Sequence, residues 1–456
     1  MLKGGIQNFQ TKIELKKSLK NFSRPSEFLE ASNENAERKL KLLDSDSIPE
    51  RCKGINFFAN YFGSIDKDIM MKIIEVASSN EFDIIDTVCP LLVNISNNPT
   101  FIKKCKFLVQ IIELILDIIQ SSAETQFTIS GFEALSNFCF YSYEAALFLF
   151  QVNFVDFVFD LLDKMLKYLR IEEDDICFID CLYITENILK MLSGILIHDG
   201  LTNSSFALKT INYFILFLKI KNQSHSNVIK GFIVTNVYWI AVSASDDIIR
   251  NIIIPEFFDA ISFSINTNDN DLTAAAFSTI LKITSHDDNF SLCFVLNNFL
   301  SIVRNSFAWD NEVKLEFCKI LHNFAMCKDE RITDSIFQPQ IIDFLVKLRN
   351  EGSFYSQKEI ILIFCLLINF NYQKYLELII NKLSFVFNDI SDYLTNDDIF
   401  FNIHIIYSFN IIVQNYSSKE FWFINEELFG ILDSFILNEN EFLSYYSKTL
   451  KEMIRQ

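Results

Sequence analysis

The chain has 456 residues, 50% hydrophobic and 21% charged, with only 10 glycines and 6 prolines. So apolar a composition has ample material for a core and excludes a disordered chain, and so few breakers favour helices joined by short polar turns over strand folds. A net charge of −18 argues against DNA or RNA as the main ligand, because phosphate binding needs a basic face.

Residues 1–53 differ from the rest. They hold eleven Lys/Arg and eight Asp/Glu, a balance of +3, so the remainder carries −21. Lys12, Lys16, Lys17, Lys20 and Arg24 make this stretch a basic, polar arm, partly helical and loosely attached. No charged-then-apolar leader opens it, which predicts reduced cysteines in the cytosol or nucleus. From residue 54 to 456 the pattern is one helical array.

The array is predicted as paired helices: 68–78 with 82–96, 108–120 with 128–140, 154–168 with 177–196, and 211–220 with 228–242. Pairs follow at 256–265 with 272–284, 296–305 with 312–326, 341–349 with 357–370, and 376–387 with 397–414. Helices at 427–437 and 439–455 close it. Ile111, Leu114, Ile115 and Ile118 show the underlying rule, apolar residues at i, i+3, i+4 and i+7. The turn Asn266 to Asp271 offers good N-cap residues. The 48 phenylalanines are read as core, since aromatics at helical spacing usually are. The longest apolar run, Ile360 to Phe370, is about half of the ~20 residues a membrane span needs.

Within these runs an asparagine recurs, at Asn94, Asn137, Asn187, Asn236, Asn323, Asn369 and Asn410. The gaps are 43, 50, 49, 87, 46 and 41 residues, and Lys282 splits the 87 into 46 and 41. A period near 40–47 is what a stack of two- or three-helix units produces. Each unit buries its apolar face against its neighbours, so the chain is predicted to be an all-α solenoid.

The residues around these asparagines resemble the armadillo repeat, whose third helix reads A-L-x-N-L-A. Ala134-Leu-Ser-Asn-Phe138 is close to that pattern, and Ile320-Leu-His-Asn-Phe-Ala325 and Leu366-Leu-Ile-Asn-Phe370 follow its shape. The resemblance implies a right-handed superhelical solenoid of about eight or nine armadillo-like units. It implies that the seven asparagines, with Trp239, line a concave groove, where each amide offers a donor and an acceptor to an extended peptide.

Importin-α adaptors share a basic arm and an acidic body with this chain. That likeness implies peptide partners with basic segments, an importin-β-type carrier held through the arm, and shuttling between cytoplasm and nucleus. The chain departs from the family in three ways, the first being an arm much less rich in arginine than the family's. The positions one helical turn before each asparagine are Pro90, Glu133, Tyr183, Phe232, Lys319, Cys365 and Ile406, none of them the tryptophan that stacks lysine stems in nuclear-signal sites. The glycine that separates the first two helices of each unit is mostly missing. The alternative is an armadillo-like scaffold subunit that reads no nuclear signal.

No catalytic or cofactor motif is present. The 5 histidines form no H-E-x-x-H, and no nucleophile elbow, Walker loop or dinucleotide loop occurs. Cys177 and Cys181 are i,i+4 neighbours, but zinc would need two more ligands and the nearest histidine is His198. The sequence predicts a non-enzymatic protein-binding adaptor with no metal or cofactor, and with neither nucleic acid nor membrane as partner.

Overall fold

A computed structural model of the chain describes residues 38–59, 67–170, 176–198, 204–220, 223–243, 245–267, 269–395, 397–415 and 424–455. Every regular element among them is helical. The chain divides into two compact units, Met1–Val155 and Asp156–Gln456.

In the first unit, Ile48–Ala59 packs on Phe82–Ser96, and Phe82–Ser96 packs on Thr125–Tyr141. These three form a ladder of successive helices. Lys67–Ala77 and Leu108–Ser121 back it. The helices lie close: a Cβ on Gly131 would come within 2.7 Å of the Ile119 side chain, so only glycine fits there. The helix Ile48–Ala59 spans the expected arm boundary at residue 53. The residues just before it are packed as well, with Leu43 only 1% exposed against Gly54.

In the second unit the ladder runs Ile176–Leu196, Gln223–Ser243, Asn270–Thr284, Asn311–Met326, Phe354–Leu383, Ile399–Asn415 and Glu441–Arg455, each packed on the next. Ser204–Leu218, Pro255–Ile265, a 3-10 segment at Phe299–Ala308, Pro339–Glu351 and Glu426–Ile436 form the backing layer.

Short helices precede the backing helix in several repeats: Pro99–Lys104, Tyr143–Gln151, Asp246–Ile252, Asp288–Leu296 and Glu330–Ile336. They are too short to show apolar periodicity, so the pairing read from sequence omitted them. Their caps are local all the same. Asn98 accepts from the backbone N–H groups of Thr100 and Phe101 with Pro99 at the first helical position, and Ser142, Asp287 and Asp329 cap three of the others, while Asp246–Ile252 has no side-chain cap. Two short helices are followed by a left-handed asparagine, Asn153 at φ 55° before the helix Phe154–Leu169 and Asn298 at φ 58° before Phe299–Ala308. Asparagine tolerates that conformation better than other side-chain-bearing residues, so it stands in for the missing glycine. Asn153 also breaks the apolar stretch from Ala145 to Leu162.

One pair merges. The helices expected at 357–370 and 376–387 are a single helix, Phe354–Leu383. The polar residues between them suggest a turn, but no glycine or proline stops the helix. Its extension docks instead, with Tyr375 stacked on Phe337 at 3.8 Å and Lys374 paired with Asp334 at 2.6 Å.

The largest fully buried side chains are all phenylalanines, from Phe58 to Phe364, as the core reading of the aromatic excess predicts. No single described helix is long and apolar enough to cross a membrane.

Candidate protein-binding face on the ladder helices

All seven asparagines sit on ladder helices, one per helix, and Lys282 occupies the eighth. A ladder helix exposes one narrow stripe, because its flanks are covered by the helices before and after it. On Asn311–Met326 that stripe is Glu312, Leu315, Lys319 and His322, with Asn323 beside it and Met326 at the end. On Gln223–Ser243 it is Val228, Phe232, Thr235, Trp239 and Val242. Trp239 is half-buried and meets Tyr238 edge-on at 4.9 Å.

The asparagines lie at the margin of these stripes, and most of their amide N–H groups are directed at neighbouring helices. Three reach back to the C-terminal end of the preceding ladder helix. Asn94 donates to the Ala59 carbonyl at 2.9 Å, Asn137 to Ser96 Oγ and Asn97 Oδ1 at 3.1 Å each, and Asn323 to the Leu281 carbonyl and Thr284 Oγ1 at 3.1 Å each. The last turn of a helix carries carbonyls without intrahelical partners, and an amide from the adjacent repeat is a suitable donor. Two reach forward. Asn369 donates to the His404 carbonyl at 3.3 Å, and Asn410 to the Tyr446 carbonyl at 3.1 Å. Asn236 bonds its own helix at Phe232. Asn94 is exposed and Asn323 and Asn369 are half-buried, whereas Asn137, Asn187, Asn236 and Asn410 are buried. The basic-arm residues Lys12, Lys16, Lys17, Lys20 and Arg24 lie outside the described residues.

This arrangement predicts a stability effect. Asn137→Ala and Asn323→Ala each remove two hydrogen bonds between neighbouring ladder helices and are expected to cost about 1 kcal/mol. Asn94→Ala loses one exposed bond and is expected to cost less than about 0.5 kcal/mol. Chemical unfolding of the three variants measures this, and an equal, near-zero effect for all would remove the cross-helix role.

Between Asn311–Met326, Phe354–Leu383 and Ile399–Asn415 the stripe carries a histidine network. His322 Nδ1 pairs with Glu359 at 2.6 Å, and its ring stacks on Phe400 at 6.2 Å. Phe400 meets His404 edge-on at 4.5 Å. The Asn369 amide N–H donates to His404 Nδ1 at 3.1 Å, and Ser408 Oγ donates to Asn369 Oδ1 at 2.8 Å. His404 Nδ1 is therefore an acceptor, and the ring is neutral. Burial, with His322 nearby, holds its pKa below the ordinary 6.5. A folded pKa below the unfolded one means that the unfolded chain binds the proton more readily. The stability contributed by neutral His404 is present above about pH 6.5 and is lost progressively as pH falls below it. The thermal midpoint of wild type should drop across that window more steeply than that of His404→Leu. Parallel pH profiles would contradict this assignment.

Cys89, Cys318, Cys327 and Cys365 are buried thiols. Burial pushes Cys89, Cys327 and Cys365 up to about 12, which leaves them protonated and unreactive. No group of three metal-ligating side chains occurs among the described residues. Sequence reasoning missed Phe400, exposed at 48%, and the lysine cluster Lys103, Lys104 and Lys106. The three lysines within four residues of an acidic chain were the available signal for the second.

No protein-family model and no curated protein matches the sequence. Solved structures do match. An engineered protein aligns with 92% of this chain and 99% of its own length, at TM-score 0.67 and 14% identity. A chain from the structure in which Kap95p binding induces the switch loops of RanGDP to adopt the GTP-bound conformation aligns over 91% of this chain, at TM-score 0.71 and 12% identity. Importin beta aligns over 95%, at TM-score 0.56 and 12% identity. The chain spans about half the length of these two, 52% and 54%. Likeness at such low identity is likeness of fold, and the fold is an all-α helical-repeat solenoid of the armadillo and HEAT kind.

Proposed function

We infer that the protein is a non-enzymatic scaffold that binds protein segments along the exposed stripes of its ladder helices. Armadillo and HEAT solenoids commonly bind proteins, and the stripes here offer aromatic and amide side chains such as Tyr183, Trp239, Phe400, Tyr407 and Asn94. The observation that carries the reading is electrostatic. The ten ladder helices together hold thirteen Asp/Glu and thirteen Lys/Arg, so they are neutral, while the whole chain is at −18. The acidic excess lies on the other helices and the connecting segments. The ladder helices therefore add no net charge of their own to hold a lysine-rich peptide, and recognition along them rests on apolar and hydrogen-bonding contacts.

A second reading is an import adaptor that takes basic peptides. The fold likeness to importin beta and the +3 balance of residues 1–53 favour it. The two separate in one measurement. Fluorescence anisotropy with a labelled Lys-rich peptide is run on the full chain and on a chain lacking residues 1–37. The cut stops there because Leu43 is buried against Gly54. The scaffold reading expects no saturable binding at low ionic strength in either. Binding that tightens on deletion and weakens with salt would replace it with the import reading.

A further inference from the structure

Within the first unit, Lys103, Lys104 and Lys106 surround an open cleft of about 640 Å³ that Cys105 and Glu144 also line. All three lysines are exposed. The ion pairs among the first unit's described residues join Lys72 to Asp44 and Glu75, and the three lysines take part in none. Lys103 and Lys104 end the helix Pro99–Lys104, where its carbonyls favour positive charge. Lys106 lies beyond that helix, so the helix end does not account for it. The backbone here is anchored: Ile102 is 3% exposed, and Phe101 meets Phe107 edge-on at 6.3 Å. The anchored backbone thus places three exposed lysines, none in an ion pair among the described residues, around one cleft with Glu144 as the one acid in its lining, on a chain whose net charge is −18.

We propose that this lysine corner is a docking site for a short acidic segment of a protein partner. Charge complementarity selects the class of ligand. The size of the feature selects among anions. Nucleic acid and anionic membranes are extended polyanions, and they would bring further negative charge against the rest of an acidic molecule. A short run of Asp and Glu needs only the corner, and its carboxylates can each accept from an ammonium group. The proposal rests on the scaffold reading in taking the partner to be a protein.

The test titrates the full chain with a fluorescein-labelled Asp/Glu-rich peptide at low ionic strength. Saturable binding that weakens with added salt is expected. The triple variant K103Q/K104Q/K106Q should bind roughly tenfold or more weakly, while K164Q/K167Q/K448Q, with the same change in charge, should bind as wild type does. Glutamine keeps the helix end compatible with folding, and circular dichroism verifies it. The proposal is overturned by absent or non-saturable binding, by equal losses in both variants, or by tighter binding to a DNA duplex or phosphatidylserine vesicles than to the peptide. A failure here removes the corner alone, because the Lys-rich peptide measurement decides the scaffold reading separately.

Discussion

Phe317→Ala is expected to destabilise the second unit by about 3–5 kcal/mol, in the range of buried phenylalanine truncations. The ring is fully buried, on the ladder helix Asn311–Met326. Its centroid lies 5.5 Å from Phe277, 6.0 Å from Phe299, 5.3 Å from Trp309 and 5.4 Å from Phe344. Those partners come from the preceding ladder helix, the 3-10 segment, the link after it, and the next backing helix. The knot therefore joins successive repeats. In a solenoid each repeat is stabilised chiefly by its neighbours, so the loss spreads to both sides. Chemical unfolding measures the total, and hydrogen exchange should show reduced protection across 270–351. Phe317→Leu, which keeps most of the volume, should cost less than half as much. A cost below about 1 kcal/mol for the alanine variant would mean that the rings do not interlock as described.

Arg349→Met is expected to cost about 3 kcal/mol, because it leaves several acceptors without a donor. Arg349 is 9% exposed, and the groups that accept its hydrogen bonds are neutral oxygens. Its Nε donates to the Val386 carbonyl at 2.9 Å, Nη2 to the Asn388 carbonyl at 2.7 Å, and Nη1 to Tyr393 Oη at 3.4 Å. The guanidinium also sits 5.3 Å from the Tyr393 ring. The segment it holds consists of two 3-10 turns, Ser384–Phe387 and Ile390–Tyr393, separated by the left-handed Asp389 at φ 56°. Such a segment has few internal hydrogen bonds, and a planar fork with several donors ties it down where a single ammonium cannot. Arg349→Lys should recover only part of the loss. Amide exchange in 384–402 should accelerate in both variants, and unchanged exchange there would show that the arginine is dispensable.

The asparagine recurrence was visible without coordinates, and the register of the ladder was visible with it. Its meaning was not. The same residue type reaches backward at Asn94, Asn137 and Asn323, forward at Asn369 and Asn410, and along its own helix at Asn236. The choice depends on which carbonyl the next helix brings within about 3 Å. That follows from how two helices some forty residues apart are aligned, a quantity no local pattern encodes.

By itself the sequence determined the helical class, the repeat period, the placement of the recurring asparagines on seven of the ten ladder helices and the role of phenylalanine as core. These follow from short-range rules, namely the 3.6-residue periodicity, cap residues such as Asp269 and Asn98, and the scarcity of breakers. Only the tertiary structure decided that Phe354–Leu383 continues as one helix, that four of the seven asparagines are buried, and that the ladder is neutral inside an acidic chain. The physical reason is the same for all three. Docking of Tyr375 on Phe337, the covering of a helix flank, and the side of the molecule on which a carboxylate falls are set by contacts between repeats. Such contacts exist only once the repeats have stacked.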